Sequence, residues 1–498
     1  MKKRTLTALL GTLTALSSVA PTMVQAAENT EEYTVTFCRT QDSTMESDIF
    51  SILKDESYED NRWTRLIADR LGIDVKYLWI APNAEQQTQK FNAAVAAGTI
   101  PDIVCVDKLT LKNLVEADLV VDMGPYFEEY ASDLLKSMIE SAGEQCVQAC
   151  TFDGVQYGIP YVDCDIETAQ MLWLRQDWMD ELGLEAPKTI DDLKEIMDAF
   201  MEKVGDGAVG MALCNDLYGN LMDIKGFANA YGAYPRYWVQ QDDGTLVYGS
   251  TTPEMKQTLE ALADLYQNDY LDEEFHVNDG TKAAEALVND KCGVLYGWHA
   301  TALWPLQDNL NQNPDADWRP YQIVTSEEGA EVTPGINMMT SSWYAVSSEC
   351  EHPEALVELL NLYCEKVFDP ELNEYSYYAN PGDGLEGVWR LSPVSLNSPD
   401  KNQQTAKAIA EPLKTGEQLS MYEYSKAAQD GDTTLWGWNR VFGEGGSQML
   451  LIDYENDENV KLVRDQFYGV ATETMSMRKT TLDTMLDEAF IKIITGQT

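Results

Sequence analysis

The stretch from Tyr33 to Val106 limits the possible folds more than any other part of the chain, because its apolar pattern alternates between strand and helix periods. Tyr33 to Cys38 reads as a strand, Asn61 to Leu71 as an amphipathic helix, Val75 to Ile80 as a strand, and Glu85 to Ala97 as a helix stopped by Gly98. After Pro101-Asp102, the apolar run Ile103-Val104-Cys105-Val106 has the character of a strand buried on both faces of a parallel sheet. A βαβαβ unit winds right-handed into an open sheet whose ligand crevice lies at the carboxyl ends of the strands. Arg39 and Asp107 stand one step beyond such ends, where each can hydrogen-bond a ligand.

A second α/β region follows. Thr189 and Asp192 form a capping box for a helix with Ile190, Leu193, Ile196, Met197, Phe200 and Met201 on one face. Thr252-Pro253-Glu254 starts another helix, and Asp242-Asp243-Gly244-Thr245 reads as a hairpin turn. Further amphipathic helices are expected from Pro353 to Val367 and from Leu482 to Ile494, the last ended by Gly496. The 498 residues allow two or three domains. With no repeat and no low-complexity linker, two α/β lobes joined by several short crossings are expected.

At the start, Lys2, Lys3 and Arg4 precede an apolar run from Leu6 to Val19, then Pro21 and Val24-Gln25-Ala26. This reads as a secretory signal peptide over residues 1–26, cleaved after Ala26, so an exported, soluble mature chain is expected. Lys+Arg 35 against Asp+Glu 83 gives a net charge of -48, and about -51 once the leader is removed. Such a field repels phosphate backbones and anionic lipid, so no nucleic-acid partner is expected. The nine cysteines include no CxxC pair, and none is spaced with His276, His299 or His352 as zinc ligands would be. No metal and no cofactor are expected; Cys105 reads as a small buried hydrophobe.

Several segments, in order, carry a resemblance. Ala96-Ala97-Gly98-Thr99-Ile100-Pro101-Asp102-Ile103-Val104, then Asp153-Gly154-Val155-Gln156-Tyr157-Gly158-Ile159-Pro160, are similar to "AAGxxPDIV" and "DGxxYGIP". Arg175-Gln176-Asp177-Trp178-Met179-Asp180-Glu181-Leu182-Gly183-Leu184 with Pro187-Lys188-Thr189 is similar to "RxDWLDxLGLxxPKT". Asn313-Pro314-Asp315-Ala316-Asp317-Trp318 and Phe490 to Gly496 complete the set. The chain thus resembles bacterial extracellular solute-binding proteins of carbohydrate ABC transporters, in their larger, lipoprotein-type branch.

The resemblance implies an α/β, two-lobed periplasmic-binding-protein-like fold with three hinge crossings, at Tyr157 to Tyr161, Val294 to Trp298 and Trp343 to Val346. One lobe would combine residues 28–158 with 298–343, the other 162–294 with 346–498. It implies a monomeric receptor that closes on a carbohydrate and delivers it to the membrane permease subunits of an ABC importer. Overall charge favours a neutral oligosaccharide. Peptide or another small solute is the alternative ligand. A glycoside hydrolase is the rival class, needing two carboxylates about 5 to 9.5 Å apart; no GxSxG, P-loop or HExxH motif appears. Two departures from the family matter. Residues 17–27 hold no lipobox cysteine, and Lys203 to Val209 stands where many members have a "DxDGNGxxD" calcium loop, with one carboxylate left.

Sugar rings offer a flat C–H face to aromatics and hydroxyls to planar polar groups. Trp298 and Trp343 fall at two of the implied crossings, and Trp173 follows the first. Trp389, Trp436 and Trp438 lie in Gly-containing segments read as loops. Arg39, Asp107, Asp163, Asp165 and His299 are the hydrogen-bonding candidates, whereas Trp178 is expected in the core.

Overall fold

The computed structural model describes residues 32–241, 243–381, 385, 387–410 and 419–497. The expected signal peptide and Asp242 of the hairpin turn lie outside the described residues. The strands that carry the architecture are β1 (Tyr33–Thr40), β2 (Ile73–Ala81), β3 (Ile103–Asp107), β4 (Ile159–Pro160), β5 (Met171–Arg175), β6 (Val294–Gly297), β7 (Trp318–Tyr321) and β8 (Ser342–Val346).

The first group of strands is organised by local signals. Helix α1 (Arg62–Leu71) starts on Asn61, whose side chain accepts from the Trp63 and Thr64 amides, and ends on Gly72 at φ 69°. Helix α2 (Ala84–Ala97) starts on Asn83 and stops at Gly98, φ 68°. These helices return the chain so that β1 and β2 pair in parallel, with an irregularity between Phe37 and Cys38. The amide and hydroxyl of Thr36 both donate to Asp102 Oδ2, at 2.8 and 2.6 Å, which ties β1 to the start of β3. β8 pairs antiparallel with β3 on one side and β4 on the other. Val35, Phe37, Ile67, Val75 and Ile103 share a core with Leu356, Leu359 and Leu360 from much later in the chain.

The second group centres on β5, with β6 and β7 antiparallel on either side. Helix α3 (Ile190–Val204) opens on the Thr189–Asp192 capping box, and α4 (Pro253–Gln267) on Thr252 with Pro at its first turn. Leu193, Phe200, Leu259 and Leu262 from these helices pack with Leu172 and Leu174 of β5 and with Phe490 and Ile494. Each such buried side chain contributes roughly 1.5–3 kcal/mol.

This pairing differs from the lobe boundaries that the resemblance implied. Trp318–Tyr321 was expected with residues 28–158, yet Trp318 pairs opposite Arg175 and Tyr321 opposite Leu172. Trp318 is fully buried there, its Nε1 donating to Asn309 Oδ1 at 2.8 Å. Conversely, helix α5 (Ala355–Val367), expected in the other lobe, packs on the first sheet. Val294 to Gly297 and Trp343 to Val346 therefore run inside one sheet each. The chain passes between the two groups after β4, before β8 and near Asn397, where Asp163 N donates to Met339 O (3.2 Å) and Asn397 N to Val162 O (2.9 Å).

Candidate functional site

A pocket of about 360 Å³ opens at the carboxyl ends of β1 and β3. Its lining includes Arg39, Tyr77, Cys105, Tyr344, Trp389 and Arg390. Gly387, at φ 74°, starts the short turn Val388–Leu391 that presents Trp389 and Arg390. The Arg39 guanidinium stands 4.9 Å from the centre of the Tyr58 ring and 5.9 Å from that of Tyr77. Its Nη1 donates to the Arg390 carbonyl oxygen at 3.1 Å. Arg390 in turn reaches Asp42 Oδ2 at 3.3 Å and lies 4.5 Å from the Trp389 ring centre.

The pocket's polar atoms are incompletely used. Arg39 Nε, Tyr77 Oη, Arg390 Nε and Ser392 Oγ are all buried without a protein hydrogen-bond partner, and all four residues line this pocket. Buried polar groups are almost always satisfied, so such a cluster offers hydrogen-bonding capacity that a polar ligand or solvent can fill. Burial pushes the Tyr77 phenol up, only partly offset by Arg39, so it stays a neutral donor.

From this pocket a continuous set of contacts leads to the second strand group. Tyr344 Oη accepts from Ser395 N and donates to Ser395 O, both at 2.8 Å. Tyr161 lies against Tyr344, ring centroids 6.3 Å apart. Asn397 Nδ2 then donates to Asp163 Oδ1 (3.1 Å), and Asn402 Nδ2 to Glu167 Oε1 (2.6 Å). Glu167 Oε2 lies 3.3 Å from His299 Nε2, and Gln448 Nε2 stands 2.9 Å from Glu167 Oε1 and 3.1 Å from His299 Nδ1. A His299 tautomer with its proton on Nε2 satisfies both contacts. Beside it the half-buried Trp298 ring meets the imidazole edge-on, centroids 5.0 Å apart. Gln170 Oε1 and Gln448 Oε1 are further buried acceptors with no protein donor.

Of the residues singled out by sequence, Arg39 and Trp389 line the pocket, while Trp298 and His299 belong to the second face. Asp163 is exposed between them, held by Asn397. Others are placed elsewhere. Trp343 is 1% exposed, with Nε1 donating to Cys146 O at 2.9 Å, and Trp173 is fully buried, so neither has a face to offer. Asp107 caps the next helix through the Thr110 amide and hydroxyl. Asp165 is buried against Arg464 at 2.6 Å. Trp436 and Trp438 sit on a helix, Trp436–Phe442, where Gly437 lets the backbone approach the Ala302 carbonyl: an added Cβ would stand 2.8 Å from it. Trp438 stacks on Phe442, and Trp436 lies under Arg440. Cys105 is exposed where burial was expected: it faces the pocket.

Tyr77, Arg390, Ser392, Glu167 and Gln448 were not found from sequence. Arg390 adjoins Trp389 in a segment already noted; the others carry no local signal. In the loop around Asp206, Lys291 Nζ donates to the Asp206 carbonyl at 2.9 Å. Among the described residues, no three His, Cys, Asp or Glu side chains are grouped to hold a metal ion, and no helix is long and apolar enough to cross a membrane.

Two sheet-centred lobes joined by short passages, with polar and aromatic groups gathered where the passages meet, define a two-lobed binding-protein architecture. The family model of bacterial extracellular solute-binding proteins matches residues 57–364, and the chain belongs to that family. It is 28% identical over 265 residues to the polygalacturonan/rhamnogalacturonan-binding protein YtcQ of Bacillus subtilis (strain 168), 51% of this chain and 50% of that protein. It is 23% identical over 225 residues, 42% of each chain, to the fructooligosaccharide ABC transporter substrate-binding protein FusA of Streptococcus pneumoniae serotype 4. The chain therefore spans about half the length of the curated relatives it matches. Among solved structures, the alginate-binding protein AlgQ2 without calcium ion matches with a TM-score of 0.57 at 16% identity, over 94% of this chain and 92% of that one. This likeness shows the fold.

Proposed function

We propose that this protein is an exported receptor that captures a carbohydrate between its lobes and hands it to the membrane permease of an ABC importer. The carrying observation is the cluster of four unpartnered polar atoms beside the aromatic rings of Tyr77 and Trp389, which line the same pocket. Stacking faces with nearby donors suit a pyranose, and the relatives named above are carbohydrate-binding by name.

In this reading the pocket takes one part of the sugar, and Trp298 with the His299 group takes another. Contacts made by both lobes exist only when they close, so ligand shifts an open–closed equilibrium by its difference in affinity for the two states. The passages at Tyr161, Met339 and Asn397 act as the hinge. The chain works as a monomer, without a metal, and its mature form begins at Ala27. A thermal-shift screen of the mature protein against neutral and acidic oligosaccharides tests the reading: a ligand at 100 times its Kd stabilises by about 2.7 kcal/mol. Chromatography of the recovered sugar separates receptor from hydrolase, since a receptor returns it intact. No shift with any carbohydrate, or a cleaved product, would overturn the proposal.

A further inference from the structure

We infer that the pocket at the ends of β1 and β3 is a carboxylate subsite, so that the sugar captured there is an acidic one carrying a uronic acid residue. This rests on the carbohydrate-receptor reading above. The observation is an imbalance of charge. Two guanidiniums, Arg39 and Arg390, face the pocket, and Asp42 pairs with Arg390. Among the described residues Arg39 has no carboxylate partner: it touches a carbonyl oxygen, the Met45 sulfur and two aromatic rings.

That is an exception in this protein. Arg62, Arg175, Arg236 and Arg440, likewise drawn into the structure, each hold at least one carboxylate. With 83 acidic residues to 35 basic ones, partners are abundant. A partly desolvated, unpaired guanidinium is unfavourable until an anion arrives. Its planar fork matches the two oxygens of a carboxylate. Tyr77 Oη and Ser392 Oγ supply unpartnered hydroxyls in the same pocket for the neighbouring sugar oxygens, and Tyr77 and Trp389 supply the faces. A neutral sugar would leave Arg39 without a carboxylate in contact.

The net charge of -48 pulls the other way and favoured a neutral ligand at the level of sequence. Distance decides between the two. At physiological ionic strength the Debye length is about 8 Å, so surface carboxylates farther off are largely screened, whereas a guanidinium in contact is not. The overall field slows the encounter, and the pocket sets the affinity.

The test uses the mature chain in calorimetric titrations with trigalacturonate, trimannuronate and the neutral trisaccharides kestose and maltotriose, each uronate run beside its methyl ester. Esterification removes the charge and keeps the ring. The expected result is a uronate bound roughly 10- to 100-fold tighter than its ester, with affinity falling as salt rises. Arg39→Gln should abolish that preference, and Arg39→Lys should keep part of it. Equal binding of acid and ester, or binding of the neutral sugars alone, overturns the carboxylate subsite while leaving the carbohydrate receptor standing. Binding of no sugar at all removes both. The wild-type acid-to-ester ratio decides the matter even where a variant melts early.

Discussion

Glu167 Oε2 lies 3.3 Å from Nε2 of His299, and this contact joins the first passage between the lobes to the turn that follows β6. The other carboxylate oxygen of Glu167 accepts from Asn402 and Gln448. One largely buried side chain thus holds together four segments that are far apart in sequence.

Replacing Glu167 with Ala leaves the donors of Asn402, Gln448 and His299 without their acceptor. The cost of such orphaned groups is about 2–4 kcal/mol. Chemical denaturation of the ligand-free protein should show that loss of stability. An unchanged midpoint would mean that the network is solvated and holds nothing.

Stability should rise on mild acidification. Burial holds Glu358, Asp453, Glu455 and Asp465 above the ordinary carboxylate range, Glu358 further so beside Glu354. Each binds its proton more tightly folded than unfolded, so its contribution is complete below the unfolded pKa and is lost as pH rises through the folded one. Asp192 and Asp457 run opposite: backbone amides at Lys188 and Thr189, and at Asn459, hold them low. Their contribution is lost as pH falls below the ordinary carboxylate range. The melting temperature should therefore climb from about pH 7.5 to about pH 5 and drop below about pH 3.5. A steady decline from pH 7.5 downward would contradict this balance.

Cys105 offers a probe of the pocket. Its thiol can be reached by solvent at the floor of a concave surface, and the surrounding protein pushes its pKa up to about 11. Alkylation should be slow at neutral pH, speed up with hydroxide and be blocked by bound sugar. Cys350, also partly exposed and held at about 11, lies elsewhere and serves as the unprotected control. Peptide mass mapping reads both. Equal modification of Cys105 with and without ligand would place the sugar away from this pocket.

The helices and most strand positions were legible because their signals are local. Asn61, Thr189, Pro253 and Gly98 act within one turn of the backbone they organise. The partition into lobes was not, because it depends on Trp318 lying opposite Arg175, and no periodicity encodes a pairing across so long a stretch. The placement of the candidate-site residues was half legible for a similar reason. Residue type marked Arg39, Trp298 and Trp389, but type alone does not say which face of a strand looks inward, so Trp173 and Trp343 went to the core. Cys105 erred the other way: its neighbours Val104 and Val106 are buried on the opposite face.

Trp298 and Trp343 make a matched pair for locating the ligand. Trp298 is half-buried at the end of β6, its amide held by Asn220 O at 3.1 Å and its ring resting on His299. Trp343 is enclosed within β8, its indole tied to Cys146 O. Trp298→Ala should remove a stacking face and cost roughly 1.5 to 3 kcal/mol of binding, a 10- to 150-fold rise in Kd, while the ligand-free melting point changes little. Trp343→Ala should instead leave a cavity and cost about 3–5 kcal/mol of fold stability, with affinity preserved in the fraction that remains folded. Calorimetric titration and ligand-free melting of both variants, run side by side, separate the two roles. Should Trp298→Ala bind sugar like the parent and melt early, its ring belongs to the packing of the His299 turn. The stacking face would then have to come from Trp389, the tryptophan that lines the first-lobe pocket.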